Sequence, residues 1–373
     1  MVKPVLPDFS ELSEDINRIL RSGMVTKGEY LERFESIIAD HLKVKHAVAV
    51  SSCTSGLMLT YRGLNLSGDV VVPSFTFMAT ISALVWSGLN PIFADVDPNT
   101  TNLDPEIAEA MITPNTSAIV AVHNFGNPAS IDALIDVANR HGIYLIFDAA
   151  HGFGSVYQGE PVGGQGDAQV FSLSPTKLLI TGEGGIVATN NDDLARKIRC
   201  GREYGNNGSY DSEFAGLNAR MPEINALIGI NSFQKLENAA ITRNGTANIY
   251  HQALANLPGI GFQKVAPGNR NSYKDFSITI DPDLFGMSRD ILAQALHAEN
   301  IDTRKYYDPP VHLQSAYLQY YSGSPIQNTE WLASHSISLP IWSNMNPDIS
   351  SGICEAIERI HKYSETIVRT SGH

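Results

Sequence analysis

The segment QVFSLSPTKLLITGEGGIVAT, residues 169–189, places one lysine between two short apolar runs. The runs QVFSL (169–173) and GIVAT (185–189) have the length and apolar content of buried strands. The loop between them carries Lys177 and the glycines of GEGG, and glycine lets the backbone approach a small ligand closely. A lysine in a turn is most often a surface residue. The meaning of Lys177 therefore depends on which other groups reach the same edge of the sheet.

Further apolar runs of the same kind precede this segment and alternate with segments of helical length. They are HAVAV (46–50), VVVP (70–73), PIFADV (91–96), SAIVAV (117–122) and IYLIFD (143–148). Strands that are apolar throughout and alternate with helices are typical of a mainly parallel sheet covered on both faces. The sequence therefore predicts an α/β domain of seven strands, with ligands at the carboxyl ends of the strands.

This alternation weakens after about residue 250. Later elements are predicted from apolar spacing: helices over 227–254, 289–301 and 348–367, and a strand over 275–281. A chain of 373 residues is too long for one hydrophobic core. We therefore expect a large domain over residues 1–250, including an N-terminal segment, and a small C-terminal α+β domain over residues 251–373.

The composition is that of an ordinary globular protein, with 43% apolar and 17% charged residues. A net charge of −13 argues against a general nucleic-acid surface, because such a surface needs cations to neutralise phosphates. Three widely spaced cysteines form neither a disulfide framework nor a metal-ligand pattern. The first residues lack a signal-peptide core, and no apolar run approaches membrane-spanning length. We expect a cytoplasmic protein with no metal, nucleic-acid or membrane partner.

Two features follow the ends of early predicted strands. The turn SSCTSG (51–56) opens a helix after HAVAV, and free N–H groups at a helix N-terminus suit a phosphate. The same turn could equally serve as a plain Ser/Thr N-cap. Phe77, in PSFTFMAT (73–80), could offer a flat apolar face to a ligand or could pack in the core.

The strand IYLIFD ends in Asp148, which places a carboxylate at the functional edge of the sheet. A buried carboxylate is costly unless a cation pairs with it. His151 follows three residues later, and the loop GLNARM (216–221) adds an Asn and an Arg. Each of these residues is common by itself, and only their combination suggests a functional site.

A phosphate cradle, an aromatic face, a buried carboxylate and a lysine amine together match pyridoxal 5′-phosphate. Its aldehyde forms an imine with lysine, its ring nitrogen stays protonated beside a carboxylate, and its phosphate accepts backbone N–H groups. A nicotinamide cofactor fits less well, because the sequence has no strand–GxGxxG–helix unit.

The sequence resembles the DegT-type (DegT/DnrJ/StrS) nucleotide-sugar aminotransferases, which are pyridoxal-phosphate enzymes of fold type I. The resemblance covers nearly the whole chain and includes, in order, SGMVTKGEYLERFE, SSCTSG, VVPSFTFMATISALVWSGLNPIFADVD, ITPNTSAIVAVHNFG, DAAHG, FSLSPTKLLITGEGG and GLNARMPEINALIG. It implies an aspartate-aminotransferase-like fold. In that fold the large domain has a mixed, mainly parallel seven-stranded sheet, and a smaller α+β domain follows.

The resemblance also implies roles for single residues. Lys177 would be the Schiff-base lysine, Asp148 would pair with the pyridinium nitrogen, and His151 would contact the phenolic oxygen of the cofactor. Phe77 would stack on the ring. The implied phosphate contacts are Thr54, Ser55 and Ser172, with Asn218 reaching the same phosphate from the neighbouring subunit of a homodimer.

The substrates implied by the resemblance are glutamate as the amino donor and a nucleotide-linked keto-6-deoxysugar, with thymidine diphosphate as the expected nucleotide. Pyridoxamine 5′-phosphate would be the intermediate form of the cofactor. Candidate contacts for the nucleotide sugar are Lys27, Arg220, Tyr306 and His312, the last two in TRKYYDPPVH (303–312). Lys27 could equally be a solvated surface charge, and so could Arg304 in TRKYYDPPVH.

Two alternatives remain at this stage. A pyridoxal-phosphate dehydratase or epimerase on the same scaffold would share the cofactor residues, although relatives that act as dehydratases carry histidine in place of Lys177. A non-enzymatic regulatory protein would usually have lost the lysine or the carboxylate, and this chain has both Lys177 and Asp148.

Overall fold

The computed structural model describes residues 4–370, so the ends of the two expected domains at residues 1–3 and 371–373 lie outside the described residues. The strands are β1 His46–Val50, β2 Asp69–Pro73, β3 Asn90–Ala94, β4 Thr116–Val122, β5 Tyr144–Asp148, β6 Val156–Tyr157, β7 Glu160–Pro161, β8 Ala168–Ser172, β9 Gly185–Thr189, β10 Ile260–Phe262, β11 Phe276–Ile280 and β12 Ser336–Leu339. All seven strands expected in the large domain are therefore present, with bounds that differ from the sequence interpretation by at most two residues.

The α-helices of residues 4–370 are, in chain order, α1 Phe9–Ser22, α2 Glu29–Leu42, α3 Cys53–Gly63, α4 Met78–Trp86, α5 Pro105–Ala110, α6 Ile131–His141, α7 Asp192–Gly201, α8 Glu223–Gln234, α9 Leu236–Leu254, α10 Pro282–Phe285, α11 Arg289–Ala298, α12 Gln327–His335, α13 Pro347–Lys362 and α14 Ser364–Thr370. Helices α1 to α8 pack against the larger sheet, and α11 and α13 pack in the C-terminal region. Within residues 4–370, no helix combines the length and apolar character needed to cross a membrane.

The large sheet has seven strands in the order β1-β9-β8-β5-β4-β2-β3. Strands β8, β5, β4, β2 and β3 pair in parallel, whereas β9 pairs antiparallel with both β1 and β8. A parallel connection requires a crossover, usually a helix. The loop 173–184 contains none, so β9 runs back along β8. The predicted mixed, mainly parallel sheet is confirmed.

Two long helices expected from the sequence are each divided in the structure. The segment 227–254 belongs to α8 and α9, which meet at Lys235, and the segment 348–367 belongs to α13 and α14, which meet at Tyr363. Helix α8 packs against α2, whereas α9 packs against α13 of the C-terminal region. The change of packing partner explains why the first segment cannot continue as one straight helix.

The second sheet is antiparallel, with the order β10-β11-β12. Helix α9 connects it to the large sheet: Ala240 lies in a core with α2, and Tyr250 lies in the core of the small sheet. The expected boundary after residue 250 therefore falls inside α9. The later chain also returns to the large domain, because Tyr307 packs edge-on against Phe75 with ring centroids 5.2 Å apart.

Glu223, at the first position of α8, fixes the N-terminal loop that carries Lys27. Its carboxylate is 1% exposed and accepts hydrogen bonds from the backbone N–H groups of Gly28 and Tyr30 at 2.9 Å and of Leu31 at 3.1 Å. These N–H groups begin α2 and would otherwise lack partners, and a negative charge is favourable at a helix N-terminus. One acidic side chain thus holds the start of α2 against α8.

Candidate active site

The strand directions bring the predicted cofactor segments to one edge of the large sheet. Strands β1, β2, β5 and β8 end there, and β9 begins there. A cavity of about 280 Å³ opens at this edge. Seven of the residues predicted from the sequence line it: Thr54, Phe77, Asp148, His151, Ser172, Lys177 and Tyr306. Their proposed roles remain predictions, but the structure brings the side chains together.

Lys177 lies in the β8–β9 loop with its side chain in the cavity. Burial, together with the nearby charge of Lys274, lowers the pKa of its amine from 10.5 to about 8. A lysine must lose its proton before it can attack a carbonyl. The surroundings of Lys177 therefore favour the nucleophilic form close to neutral pH.

Asp148 ends β5 and is 4% exposed. Thr80 Oγ1 donates to Asp148 Oδ2 at 2.7 Å, and the Ala150 N–H donates to Oδ1 at 3.0 Å. Burial nevertheless raises the pKa of Asp148, although these donors and the charge of Lys177 act in the opposite direction. The carboxylate would therefore gain from a cationic ligand group within the cavity.

His151 presents a buried nitrogen to the site. Its Nδ1 atom has no hydrogen-bond partner, although buried polar atoms normally have one. Burial holds the pKa of His151 well below its usual range, and the charge of Lys177 lowers it further. Ser272 Oγ donates to the backbone carbonyl of His151 at 2.6 Å and so fixes this turn. A neutral imidazole with one unpaired nitrogen fits the polar oxygen of a ligand.

The turn before α3, which is predicted to hold a phosphate, lies at the same edge of the sheet. Ser52 caps the helix by accepting from the Ser55 N–H at 3.1 Å. Gly185 at the start of β9 permits close approach to this turn, because a Cβ atom there would lie 2.6 Å from the Ser52 carbonyl carbon. Thr54 lines the cavity, whereas the hydroxyl of Ser55 lies 3.1 Å from that of Ser51 and stays within the turn.

Arg243 anchors the β8–β9 loop that carries Lys177, a role that the sequence does not indicate. The residue lies in α9 and is 2% exposed. Its guanidinium donates to the backbone carbonyls of Thr176 at 3.3 Å, Lys177 at 3.5 Å and Tyr273 at 3.0 Å. It therefore ties the β8–β9 loop to the segment before β11. An arginine within a helical pattern gives no sequence signal for such a role.

Three further residues predicted to contact the substrate or the cofactor do not line this cavity: Lys27, Arg220 and Asn218. Lys27 Nζ lies 2.8 Å and Arg220 NH1 3.3 Å from the same oxygen, Glu203 Oε2. Asn218 is exposed and forms a β-bridge with Glu203. These three residues therefore share one surface region beside the N-terminal loop.

His312, a predicted contact of the nucleotide sugar, does not line the cavity of this chain. It is fully buried, and its Nδ1 lies 2.6 Å from the hydroxyl of Ser74. Its backbone N–H also donates to Ser74 Oγ at 3.1 Å, which pins the segment to the end of β2. Its Nε2 lies 3.4 Å from Glu330 Oε1, and its contact with the substrate stays a prediction.

The comparison with known families agrees with this geometry. Residues 8–358 match the model of the DegT/DnrJ/EryC1/StrS aminotransferase family. The chain belongs to that family. Its members are pyridoxal-phosphate-dependent sugar aminotransferases.

Three similar proteins illustrate the match. The spore coat polysaccharide biosynthesis protein SpsC of Bacillus subtilis (strain 168) is 32% identical over 366 residues, which cover 94% of both chains. The structure of DesI in the presence of its TDP-sugar product superimposes with a TM-score of 0.93 and 35% identity, covering 100% of this chain and 94% of DesI. NtdA from Bacillus subtilis, solved with the bound cofactor PMP, gives a TM-score of 0.87 and 26% identity, covering 95% of this chain and 82% of NtdA.

The residues present fit pyridoxal 5′-phosphate. The Nδ1 atom of His151 has no hydrogen-bond partner, so it would accept a polar ligand atom, and the raised pKa of the buried Asp148 carboxyl favours a cationic one. The N-terminus of α3, which Ser52 caps, borders the same cavity. Lys177 would hold its aldehyde carbon, Asp148 its ring nitrogen, and the turn around Thr54 its phosphate. The predicted cofactor class is confirmed at the level of the family.

Uptake of the cofactor should follow the titration of Lys177. In cofactor-free protein the amine is protonated and inert below its pKa, so the rate of imine formation should rise with pH and level off above about 8. The measurement is stopped-flow absorbance after mixing with pyridoxal 5′-phosphate between pH 6 and 10. Free lysine in the same buffers controls for titration of the cofactor itself. A rate that keeps rising up to the ordinary lysine pKa, about 10.4, would show that the pKa of Lys177 is not lowered.

Proposed function

We propose that this aminotransferase transfers the amino group of glutamate to a keto-6-deoxysugar linked to a nucleotide, which we expect to be thymidine diphosphate, in amino-sugar biosynthesis. The observation that carries the proposal is the joint position of Lys177 and Asp148 in one cavity, with a lysine amine of lowered pKa. Similarity to DesI, whose structure was determined in the presence of its TDP-sugar product, supports this substrate class.

The bound cofactor would supply an aldehyde that captures an amine and a ring that accepts the electron pair left when a proton leaves the adjacent carbon. The side chains of the protein would supply the proton transfers. Lys177 Nζ lines the cavity, and as a free amine it would carry a proton from the α-carbon of the donor to the carbon that had been the aldehyde of the cofactor. The same two transfers run in reverse when the keto sugar takes the amine.

Asp148 keeps the cofactor able to accept electrons. Its carboxylate, held by Thr80 and the Ala150 N–H, would face the ring nitrogen and keep a proton on it. A protonated ring withdraws electrons more strongly than a neutral one, so the carboxylate lowers the barrier to proton removal at the substrate carbon. The pairing also removes the cost of burying the charge of Asp148 alone.

Cations beyond the cavity support a nucleotide-linked substrate. Lys27 and Arg220 share the single carboxylate of Glu203, so these three side chains together carry one net positive charge. A diphosphate needs such an excess, whereas a small keto acid that fits within the cavity does not. Binding energy from the nucleotide would then help the reaction at the distant sugar carbon.

A homodimer with shared active sites is part of the proposal. Asn218 is exposed and does not line the cavity of its own chain, so a contact with the cofactor phosphate requires a second copy. A cytoplasmic location is also proposed, because Cys53, Cys200 and Cys354 are all free thiols, as is usual in a reducing compartment.

A dehydratase or epimerase that uses the same cofactor is the second candidate. It would share Asp148 and the phosphate turn but would not carry out a net exchange of amine for ketone. Lys177, with its lowered pKa, favours the aminotransferase because both half-reactions need a base that moves a proton between two carbons. A purely regulatory role has no observation in its favour.

A panel of acceptors should separate these functions. Enzyme converted to its aminated form by glutamate should return to the aldehyde form, seen in its absorbance, when given a thymidine-diphosphate 3-keto- or 4-keto-6-deoxysugar. The same sugar without its nucleotide should react at least about 100-fold more slowly, because remote binding energy is lost from the transition state. Pyruvate and oxaloacetate serve as control acceptors. Equal rates with these keto acids would assign the protein to amino-acid metabolism, and loss of water from the sugar without amination would favour the dehydratase.

Mixed subunits should test the shared site. Lys177→Ala and Asn218→Ala chains are each expected to have low activity at limiting cofactor. Random mixing after mild dissociation should then restore about a quarter of the wild-type activity, because half of the dimers contain one intact site. Each variant subjected to the same treatment alone is the control. Absence of recovery would show that Asn218 acts within its own chain or has no role in the site.

A further inference from the structure

An ion pair that the sequence analysis did not single out lies in the same cavity as Lys177. Lys274 Nζ donates to both carboxylate oxygens of Asp275, at 2.9 and 3.0 Å. The two side chains are only 11% and 15% exposed, and both line the cavity. Lys274 also lies 5.9 Å from the ring centroid of Tyr306, another lining residue. Apart from the effect of the Lys274 charge on the pKa of Lys177, none of the roles assigned so far uses this pair.

The proposed reaction sets a charge problem that this pair can solve. The donor amino acid carries a carboxylate on the very carbon that loses its proton, whereas the acceptor sugar has no charge beside its ketone. A cation for the carboxylate must therefore line the same cavity as Lys177, which acts on that carbon. Among the described residues that line the cavity, the lysines are Lys177 and Lys274, and there is no arginine. Burial keeps the pKa of His151, the histidine of this cavity, too low for it to serve as a cation near neutral pH.

We propose that Lys274 binds the α-carboxylate of the amino donor and that Asp275 neutralises Lys274 when the uncharged sugar ring takes the donor's place. The inference rests on the proposed function, because it assigns one further group to each of its two substrates. Lys274 is a substrate-binding residue in this account, and Asp275 is a positioning residue that acts through Lys274.

The geometry of the pair suits an exchange of partners. A largely buried ammonium without a counter-ion is costly, so Lys274 needs Asp275 whenever no carboxylate is bound. An ammonium has three donors, so an incoming carboxylate can share it with Asp275 or displace one of the two present contacts. The position next to β11 fixes the backbone of both residues, and Arg243 holds the same segment through the carbonyl of Tyr273.

The first test separates the two half-reactions. Lys274→Gln should raise the glutamate concentration needed for half-maximal rate by about 10- to 100-fold, the usual loss for a hydrogen bond to a charged group. Its effect on the half-reaction with the keto sugar should be smaller by at least about tenfold. Lys274→Arg should recover part of the glutamate affinity. Lys43→Gln, which removes the same charge from an exposed pair with Glu160, is the matched control.

The second test changes the substrate instead of the protein. Glutamate α-amide lacks the carboxylate assigned to Lys274, whereas glutamine lacks only the side-chain carboxylate. The wild-type enzyme should prefer glutamate to the α-amide, and Lys274→Gln should abolish most of that preference while leaving the ratio of glutamate to glutamine unchanged. This comparison isolates the pair of groups in the manner of a double-mutant cycle. α-Methylglutamate has no α-hydrogen to lose, so it binds without turnover. Its equilibrium affinity for the wild-type enzyme and for Lys274→Gln tests the same contact in the absence of catalysis.

Asp275→Asn should have the opposite bias. It frees Lys274 from its competing anion, so the glutamate concentration for half-maximal rate should stay the same or fall. The keto-sugar half-reaction should become slower, because an unpaired ammonium then faces an uncharged sugar. Equal losses in both half-reactions, for this variant and for Lys274→Gln, would show a merely structural pair.

The outcomes distinguish this inference from the function on which it rests. If the wild-type enzyme accepts no amine from glutamate, the proposed function fails. If it does so and Lys274→Gln keeps the full preference for glutamate over the α-amide, the inference is overturned while the function stands. Circular dichroism and cofactor absorbance of each variant show whether fold and cofactor site are intact. A collapse of the preference in Arg220→Gln instead would move the carboxylate to the cations outside the cavity.

Discussion

The buried carboxylate of Asp148 is the constraint on which the rest of the site depends. A parallel strand that ends inside the protein leaves this charge only 4% exposed, and the cost of burying it must be met by donors and by a cation. Thr80, the Ala150 N–H and the nearby Lys177 supply part of the compensation, but burial still raises the pKa of the carboxyl. A protonated pyridine ring would supply the rest. The arrangement therefore favours the holoprotein over the empty one and links cofactor binding to the stability of the edge of the sheet.

The fold was largely predictable because its strands are buried on both faces. Such strands are continuous apolar runs, and all seven were recognised; HAVAV and GIVAT even match the bounds of β1 and β9. The reversed direction of β9 was not recognised, since it depends on the absence of a crossover helix in the loop 173–184 and no local pattern reports that. The divisions at Lys235 and Tyr363 were missed for a related reason. They reflect changes of packing partner, whereas apolar spacing continues across them.

Some residues of the site could likewise be predicted from the sequence, whereas others could not. Asp148 could be found because a strand that ends in a polar residue is visible in the sequence, and Lys177 because it lies in a glycine-containing loop between two apolar runs. Arg243 and Lys274 could not, because they reach the site from α9 and from the approach to β11, far along the chain. His312 shows the converse. A histidine in a segment that resembles a substrate loop is fully buried against Ser74, and only the tertiary structure reveals this.

The central claim is that Lys177 carries the cofactor, and chemical trapping tests it most directly. The purified holoprotein is reduced with borohydride, digested and mapped by mass spectrometry. The account predicts a single stable pyridoxyl adduct on Lys177, no adduct on Lys274, and loss of the adduct in Lys177→Ala with the fold retained. An adduct on Lys274 or on any other lysine, or a fully active Lys177→Ala variant, would contradict the account.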